Sequence, residues 1–264
     1  MTFETIGLFS DVRGVARLVL NRPDKHNALS ARMVDELDEA VTMLAGDDSI
    51  RCVVLEARGK TFCAGGDLQW MMAQIEADRA TRMREAHRLA SMLHALNTLP
   101  RPLVARVHGD VYGGGIGLLA VCDQVIAARS CRFALTETRL GLIPATIGPY
   151  VIARMGEGPA RRVFMSSAKF DAEEAWRLGL AGEIADSTAL DETVEKAVRP
   201  YLAVATGAVA RAKALARSLG ARIDEAVIEN SVERLADAWE TEEAREGIAA
   251  FLERRPPRWA QNRG

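Results

Sequence analysis

Gly113-Gly114-Gly115 and Glu137 are the residues of this chain whose types and spacing speak most directly of chemistry. Consecutive glycines let backbone approach a ligand where side chains would collide. The apolar run Ile116–Val121 that follows reads as a buried helix, so free N–H groups at the turn can point at an oxygen carrying developing charge. Glu137 lies further on, between small polar residues and the apolar run Leu140–Ile143. Amides that stabilise an anion, with one carboxylate beside them, suit proton transfer next to a carbonyl. A glycine triplet alone suits a tight bend equally well. A second small-residue turn, Phe62-Cys63-Ala64-Gly65-Gly66-Asp67-Leu68, shifts the balance. Read plainly, it is a loop in which Asp67 caps a helix; read as part of a site, Gly66 supplies a second N–H. Each turn follows a buried strand, and an oxyanion hole needs two donors from separate chain segments.

The elements that must position these groups follow from periodicity. Ile6–Phe9 and Val15–Leu20 read as strands around a turn at Asp11–Gly14, and Arg51–Ala57, Leu103–Val107 and Gln124–Ala128 as short buried strands. Cys131–Ala134 reads as another short strand, and Leu180–Ile184 as the last. Met33, Leu37, Val41 and Leu44 recur at helical spacing after Ser30, a good N-cap. Gln69–Arg79 is a Met-rich segment of ambiguous type, and Arg79–Asn97 reads as a helix. Pro159 starts a helix that buries Val163 and Phe164, and Asp171 with Glu174 caps the next one. From Leu190 the pattern is helical, over Leu190–Val204, Val209–Leu219, Ile223–Trp239 and Glu242–Leu252, with Gly207, Gly220 and Thr241 as joints. The expectation is an α/β core over 1–189 followed by a helical region over 190–264.

Composition narrows the function classes. The 264 residues are 48% hydrophobic and 27% charged, with a net charge of −2, which gives no electrostatic footprint for nucleic acid. No run approaches the roughly 20 apolar residues of a membrane span, and the N-terminus lacks a basic-then-apolar leader, so a cytoplasmic protein is expected. Cys52, Cys63, Cys122 and Cys131 show no CxxC spacing and read as buried thiols; His26, His87, His94 and His108 form no HExxH pair, so no metal is expected.

At Phe62–Leu68 together with Tyr112–Asp123 the chain resembles the crotonase family, the enoyl-CoA hydratases and isomerases. The resemblance runs nearly end to end, taking in Asn21-Arg22-Pro23 through Asn27-Ala28-Leu29, Cys122-Asp123, Phe133 through Gly141-Leu142-Ile143-Pro144, and Ala250-Phe251-Leu252-Glu253-Arg254-Arg255. It implies a spiral of ββα turns followed by a helical region that builds trimers, usually paired into hexamers. It also implies an acyl-CoA substrate and no further cofactor. By carry-over, the N–H groups of Gly66 and Gly114 hold the thioester oxygen. Ala64, Asp67 and Leu68 line the adenine and pantetheine path. Lys25 and Ala28 match the loop over the CoA head, and Phe251 and Arg254 match positions that reach a neighbour's CoA.

The chain departs from the two-acid hydratase pattern. Gly117 stands where that pattern has its first glutamate, and Glu137 matches the second. In one reading Glu137 alone activates water and returns the proton to C2. The stretch Leu135–Ala145 through Pro149-Tyr150-Val151 looks like bacterial hydratases of branched, carboxylate-bearing enoyl-CoAs, of the 3-methylglutaconyl-CoA and isohexenylglutaconyl-CoA types. In another, Glu137 shuttles a proton between C4 and C2, as in enoyl-CoA isomerases. A third is a family member that binds acyl-CoA without turnover. A substrate carboxylate would want an arginine, for which Arg79, Arg82 and Arg84 are the candidates.

Overall fold

Val15–Leu20 forms the strand β2, which pairs antiparallel with β1 (Ile6–Ser10) and parallel with β3 (Cys52–Ala57) in the computed structural model, which describes residues 3–261. Residues 1–2 and 262–264, the outermost parts of the two expected regions, lie outside the described residues. Between β2 and β3 runs the helix α1 (Ala31–Gly46), whose Met33, Leu37, Val41 and Leu44 face the core, and Ser30 accepts the Met33 N–H at its start. After β3 comes β4 (Thr61–Cys63), then α2 (Leu68–Glu76) and α3 (Arg79–Thr98). The next unit is β5 (Leu103–Val107), β6 (Asp110–Tyr112) and α4 (Gly114–Ala120). Then come β7 (Gln124–Ala128), β8 (Arg132–Ala134), a 3-10 turn at Glu137–Leu140, α5 (Gly148–Met155) and α6 (Glu157–Ser166). β9 (Phe170–Asp171), α7 (Ala172–Arg177) and β10 (Glu183–Ala185) close this part.

The strands sort into two sheets. The larger runs β1-β2-β3-β5-β7-β10 and is parallel apart from β1; the smaller runs β4-β6-β8-β9. The chain thus lays a long apolar strand in one sheet and a short one in the other, then crosses by helix, and steps on. This is the ββα spiral. The continuous apolar runs of β3, β5 and β7 reflect a parallel sheet covered on both faces. Each fully buried Leu or Val contributes about 1.5–3 kcal/mol. A second apolar cluster, centred on Met71, Leu142, Val232, Leu235, Trp239 and Ile248, lies apart from that core.

The C-terminal helices differ in detail from the sequence expectation. Leu190–Val204 divides into α8 (Leu190–Val198) and a 3-10 turn at Arg199–Ala203, because Pro200 has no N–H to continue the ladder. Gly207 does not separate two helices; it sits in the first turn of α9 (Thr206–Leu219). α10 (Glu225–Trp239) and α11 (Glu242–Leu252) follow, with the Thr241 hydroxyl capping α11 at Ala244. The last strand begins at Glu183, because Leu180 and Ala181 both donate to the Ala175 carbonyl in a turn. Phe164 is half-buried rather than buried. α10 packs on α3, and α11 on the 3-10 turn that carries Glu137.

Candidate active site

The two glycine turns leave the ends of neighbouring parallel strands, β4 and β6. Gly65 has φ +93° and Gly113 φ +49°, backbone that costs a side-chain-bearing residue dearly. The turns abut: a Cβ at Gly113 would stand 3.6 Å from the Gly65 Cα, and one at Gly65 would stand 3.1 Å from the Tyr112 carbonyl oxygen. Glu137 closes this junction. Its Oε1 would lie 3.1 Å from a Cβ at Gly113, so the carboxyl rests on bare backbone.

Glu137 is half-buried as a residue, but its Oε2 is sealed from solvent and has no hydrogen-bond partner. Loss of hydration disfavours the anion and pushes its pKa up to about 7, only partly opposed by the backbone N–H groups of Glu137 and Thr136. A carboxyl that changes charge near neutrality can both accept and return a proton. A reaction begun by this carboxylate as base should therefore gain rate as pH rises through about 7, where burial ceases to hold the proton on. The pH profile of kcat/KM checks this; a flat profile between about pH 5 and 8 contradicts it.

With no side-chain partner on the carboxyl, its position is set by its turn. The Leu142 N–H donates to the Glu137 carbonyl at 3.0 Å, and the Thr138 and Ser167 hydroxyls bond each other. α11 supplies the firmest constraint. A Cβ at Gly141 would stand 2.3 Å from the Glu243 carbonyl, and one at Gly247 would stand 2.4 Å from the Leu140 carbonyl carbon. The turn and α11 are thus in backbone contact through two glycines. Gly247→Ala gains helix propensity, about 1 kcal/mol, but drives a methyl into Leu140. We expect it to destabilise the protein by about 1–3 kcal/mol net and to lower turnover together with it, measured by denaturant unfolding and kcat. Unchanged stability and turnover would remove α11 from the positioning of Glu137.

The N–H groups of Gly66 and Gly114 have no acceptor among the described residues. Around Gly66, Leu29 donates to the Gly65 carbonyl at 2.7 Å, Asp67 donates to the Leu29 carbonyl at 3.0 Å, and Ala64 donates to the His26 carbonyl at 3.0 Å. The loop from Asn21 to Leu29 is thereby zipped to the turn, with Ala28 buried and Lys25 exposed at its rim. Asn27, fully buried, fixes that loop: its amide donates to the Arg58 and Thr61 carbonyls, and its oxygen accepts from Arg22. Nothing in the sequence beyond an asparagine in a polar loop signalled this. Asp67 takes the capping role, accepting from Gln69 and Trp70, and pairs with Arg22 at 2.9 Å. Leu68 is exposed beside it.

Other candidates stand elsewhere. Phe251, in the last turn of α11, and Arg254, just beyond it, are exposed, outside the Glu137 junction within one chain. Arg255 and Arg258 fold back onto Glu246, and Arg255 holds that carboxyl down to about 2. The three arginines offered for a substrate carboxylate are otherwise engaged: Arg79 pairs with Asp237 and Glu240, Arg82 donates to the Gln74 and Ile75 carbonyls, and Arg84 donates to Thr81. His87 pairs with Glu229, away from the site. The four cysteines are free and buried, and burial pushes each thiol up to about 12, so they stay protonated. Among the described residues no helix is long and apolar enough to cross a membrane. Gly117 is buried with Ile147 against it.

Comparison with known proteins places this geometry. A family model described as enoyl-CoA hydratase/isomerase matches residues 11–262. The chain is 30% identical to a 1,2-epoxyphenylacetyl-CoA isomerase of Escherichia coli, over 94% of this chain and 95% of that one. Its fold matches the crystal structure of an enoyl-CoA hydratase from Mycobacterium avium with a TM-score of 0.84 at 31% identity, covering 97% of this chain and 98% of that one. It also matches Pseudomonas aeruginosa AtuE, with a TM-score of 0.78 at 39% identity, covering 98% and 100%.

Proposed function

The chain belongs to the enoyl-CoA hydratase/isomerase family, and from that premise we propose that it adds water across the 2,3 double bond of an enoyl-CoA thioester, with Glu137 as its one proton carrier. The observation that carries this reading is the Glu137 carboxyl on the glycine junction beside two amides without acceptors, its Oε2 sealed and unpartnered and its pKa pushed by burial up to about 7. In the proposed reaction the thioester oxygen accepts from the Gly66 and Gly114 N–H groups. The carboxylate takes a proton from water as the water oxygen bonds C3, and the π electrons move onto the thioester oxygen as an enolate. Glu137 then returns the proton to C2. Each amide donor is worth about 2.7–4 kcal/mol to such an anion. Because one group performs both transfers, the new C2–H and C3–O bonds form on the same face.

The proposed substrates are branched, carboxylate-bearing enoyl-CoAs such as 3-methylglutaconyl-CoA, on the likeness of the Leu135–Val151 stretch. Lys25, Ala28, Ala64, Asp67 and Leu68 are proposed for the CoA path, and Phe251 and Arg254 for a neighbouring subunit's CoA. The assembly proposed is a trimer, paired into a hexamer. α9 supports it: the helix buries no side chain within the chain and leaves Leu215 and Leu219 exposed.

Double-bond migration between C4 and C2 is a second reading. One observation favours it: at Gly117, the position that the two-acid pattern fills with its first glutamate, the contact is apolar, with Ile147 against the glycine. Product mass separates the two. Offered crotonyl-CoA and 3-methylglutaconyl-CoA, the enzyme should yield products heavier by one water. A 3-enoyl-CoA converted without mass gain, with 2-enoyl esters untouched, would establish the isomerase instead. Tight binding without any reaction would leave a binding protein.

A further inference from the structure

Ser167 stands directly after α6 with φ 48° and ψ 19°, in the left-handed region. Helices commonly end on a residue of this conformation, and it is usually glycine, because a Cβ is strained there. Ser167 is also 1% exposed, so its hydroxyl must find a partner inside the protein. That partner is the Thr138 hydroxyl, at 2.5 Å. The neighbouring Ser166 is engaged locally instead, donating to the Arg162 carbonyl and accepting from the Ala168 N–H. Thr138 is the second residue of the 3-10 turn that begins with Glu137. Among the described residues, its bond to Ser167 is the one side-chain hydrogen bond that ties this turn to another element.

Ser167 is itself held from both sides. Before it runs α6, which packs on the Glu137 turn. After it comes β9, which pairs with β8 so that Phe170 faces Phe133 and Asp171 faces Arg132. The Phe133 and Phe170 rings stack with centroids 5.6 Å apart. β8 is also the strand that leads into the Glu137 turn. The hydroxyl pair therefore joins two segments that already share one strand pairing, one carrying Glu137 and the other Ser167. We infer that Ser167 is a positioning residue for Glu137, holding Thr138 and with it the carboxyl over the glycine junction. This role rests on the reading of Glu137 as the proton carrier. Strained backbone at a buried position points to a use for the side chain that glycine could not supply. With Thr138 released, the Glu137 end of the turn is hydrogen-bonded through its backbone alone, at the Leu142 N–H.

Kinetics, binding and melting of four variants test this. Turnover is followed with whichever of crotonyl-CoA, 3-methylglutaconyl-CoA and a 3-enoyl-CoA the wild type converts, and ground-state binding with butyryl-CoA by calorimetry. Ser167→Gly removes the hydroxyl and relieves the backbone; Ser167→Ala removes the hydroxyl and keeps the strain. Both should lose about 10- to 100-fold in kcat, the cost of a proton carrier displaced by up to about 1 Å, with butyryl-CoA affinity unchanged. Ser167→Gly should melt near the wild type and Ser167→Ala below it, so that kcat follows the hydroxyl and not the stability. Thr138→Val, which keeps the shape, should match Ser167→Gly in kcat, and Thr138→Ser, which keeps the oxygen, should retain most of the rate. Should Ser167→Ala not fold, Ser167→Gly and the Thr138 pair decide. Wild-type kcat in Ser167→Gly and Thr138→Val overturns the inference and leaves the reading of Glu137 in place. A kcat that falls in step with melting temperature or with butyryl-CoA affinity, or an equal loss in Thr138→Ser and Thr138→Val, marks a merely structural contact and overturns it too. If the wild type converts none of the esters, or Glu137→Gln turns over normally, the reading of Glu137 and this inference fall together.

Discussion

Glu137→Gln lowers kcat by about 1,000-fold or more while a saturated acyl-CoA still binds within a few-fold of wild type. The magnitude follows from the double duty of the carboxyl. One positioned acid or base is worth about 10²–10⁴-fold, and in the proposed reaction the same group starts and finishes the chemistry. Glutamine keeps the shape and the contact with Gly113 but cannot accept a proton. The effect should fall on kcat and kcat/KM alike, as expected for an interaction used in the transition state. The variant also reports on linkage. The folded-state pKa of Glu137, about 7, lies above its ordinary value, so its stability contribution is full at low pH and is lost as pH rises through about 7. At pH 8 the wild type therefore buries an anion that the variant does not. Glu137→Gln should be the more stable protein there, by about 2 kcal/mol once partial solvent exposure is discounted. A variant that turns over normally would show that Glu137 is not the proton carrier, and one that is no more stable at pH 8 would show that it is not desolvated.

Gly114→Pro should cost about 100- to 1,000-fold in kcat, the loss of one oxyanion donor, with the fold retained. Proline suits this place because Gly114 is the first residue of α4, where the N–H has no helical partner and proline is well accepted. Gly114→Ala is the control. Its N–H survives, and its methyl meets only the Leu29 Cδ1 at 2.9 Å, the end of a side chain that can rotate. Comparing kcat for Gly114→Pro and Gly114→Ala separates replacement of the N–H by the ring Cδ from the effect of a side chain at this place. Equal activities would remove the Gly114 amide from the mechanism.

The parts of the fold with a period were legible in the sequence, and the parts held by single contacts were not. Met33, Leu37, Val41 and Leu44 marked α1, and Ser30 and Asp171 cap where their positions implied. Of the smaller sheet only the strand at Cys131–Ala134 was expected; Thr61–Cys63 and Asp110–Tyr112 escaped notice, because at three residues each they are too short to alternate. Gly207 misled because glycine in a first helical turn leaves the helix intact. At the site, both glycine turns and Glu137 were visible as residues of the right type. The contacts that shape the surroundings of Glu137 were not. Its sealed Oε2 and the grip of Gly141 and Gly247 on α11 are tertiary contacts with no local pattern. Arg79 and Arg82 show the opposite case: their charge suggested a ligand, and their partners turned out to be Asp237, Glu240 and the end of α2.

A crystal structure with butyryl-CoA tests the central claim most directly. The thioester oxygen should lie about 2.7–3.1 Å from both the Gly66 and Gly114 nitrogens. A Glu137 carboxyl oxygen should stand about 3–3.5 Å from C2. An acyl group bound with its oxygen away from either nitrogen, or with the Glu137 carboxyl turned from C2, would contradict the mechanism.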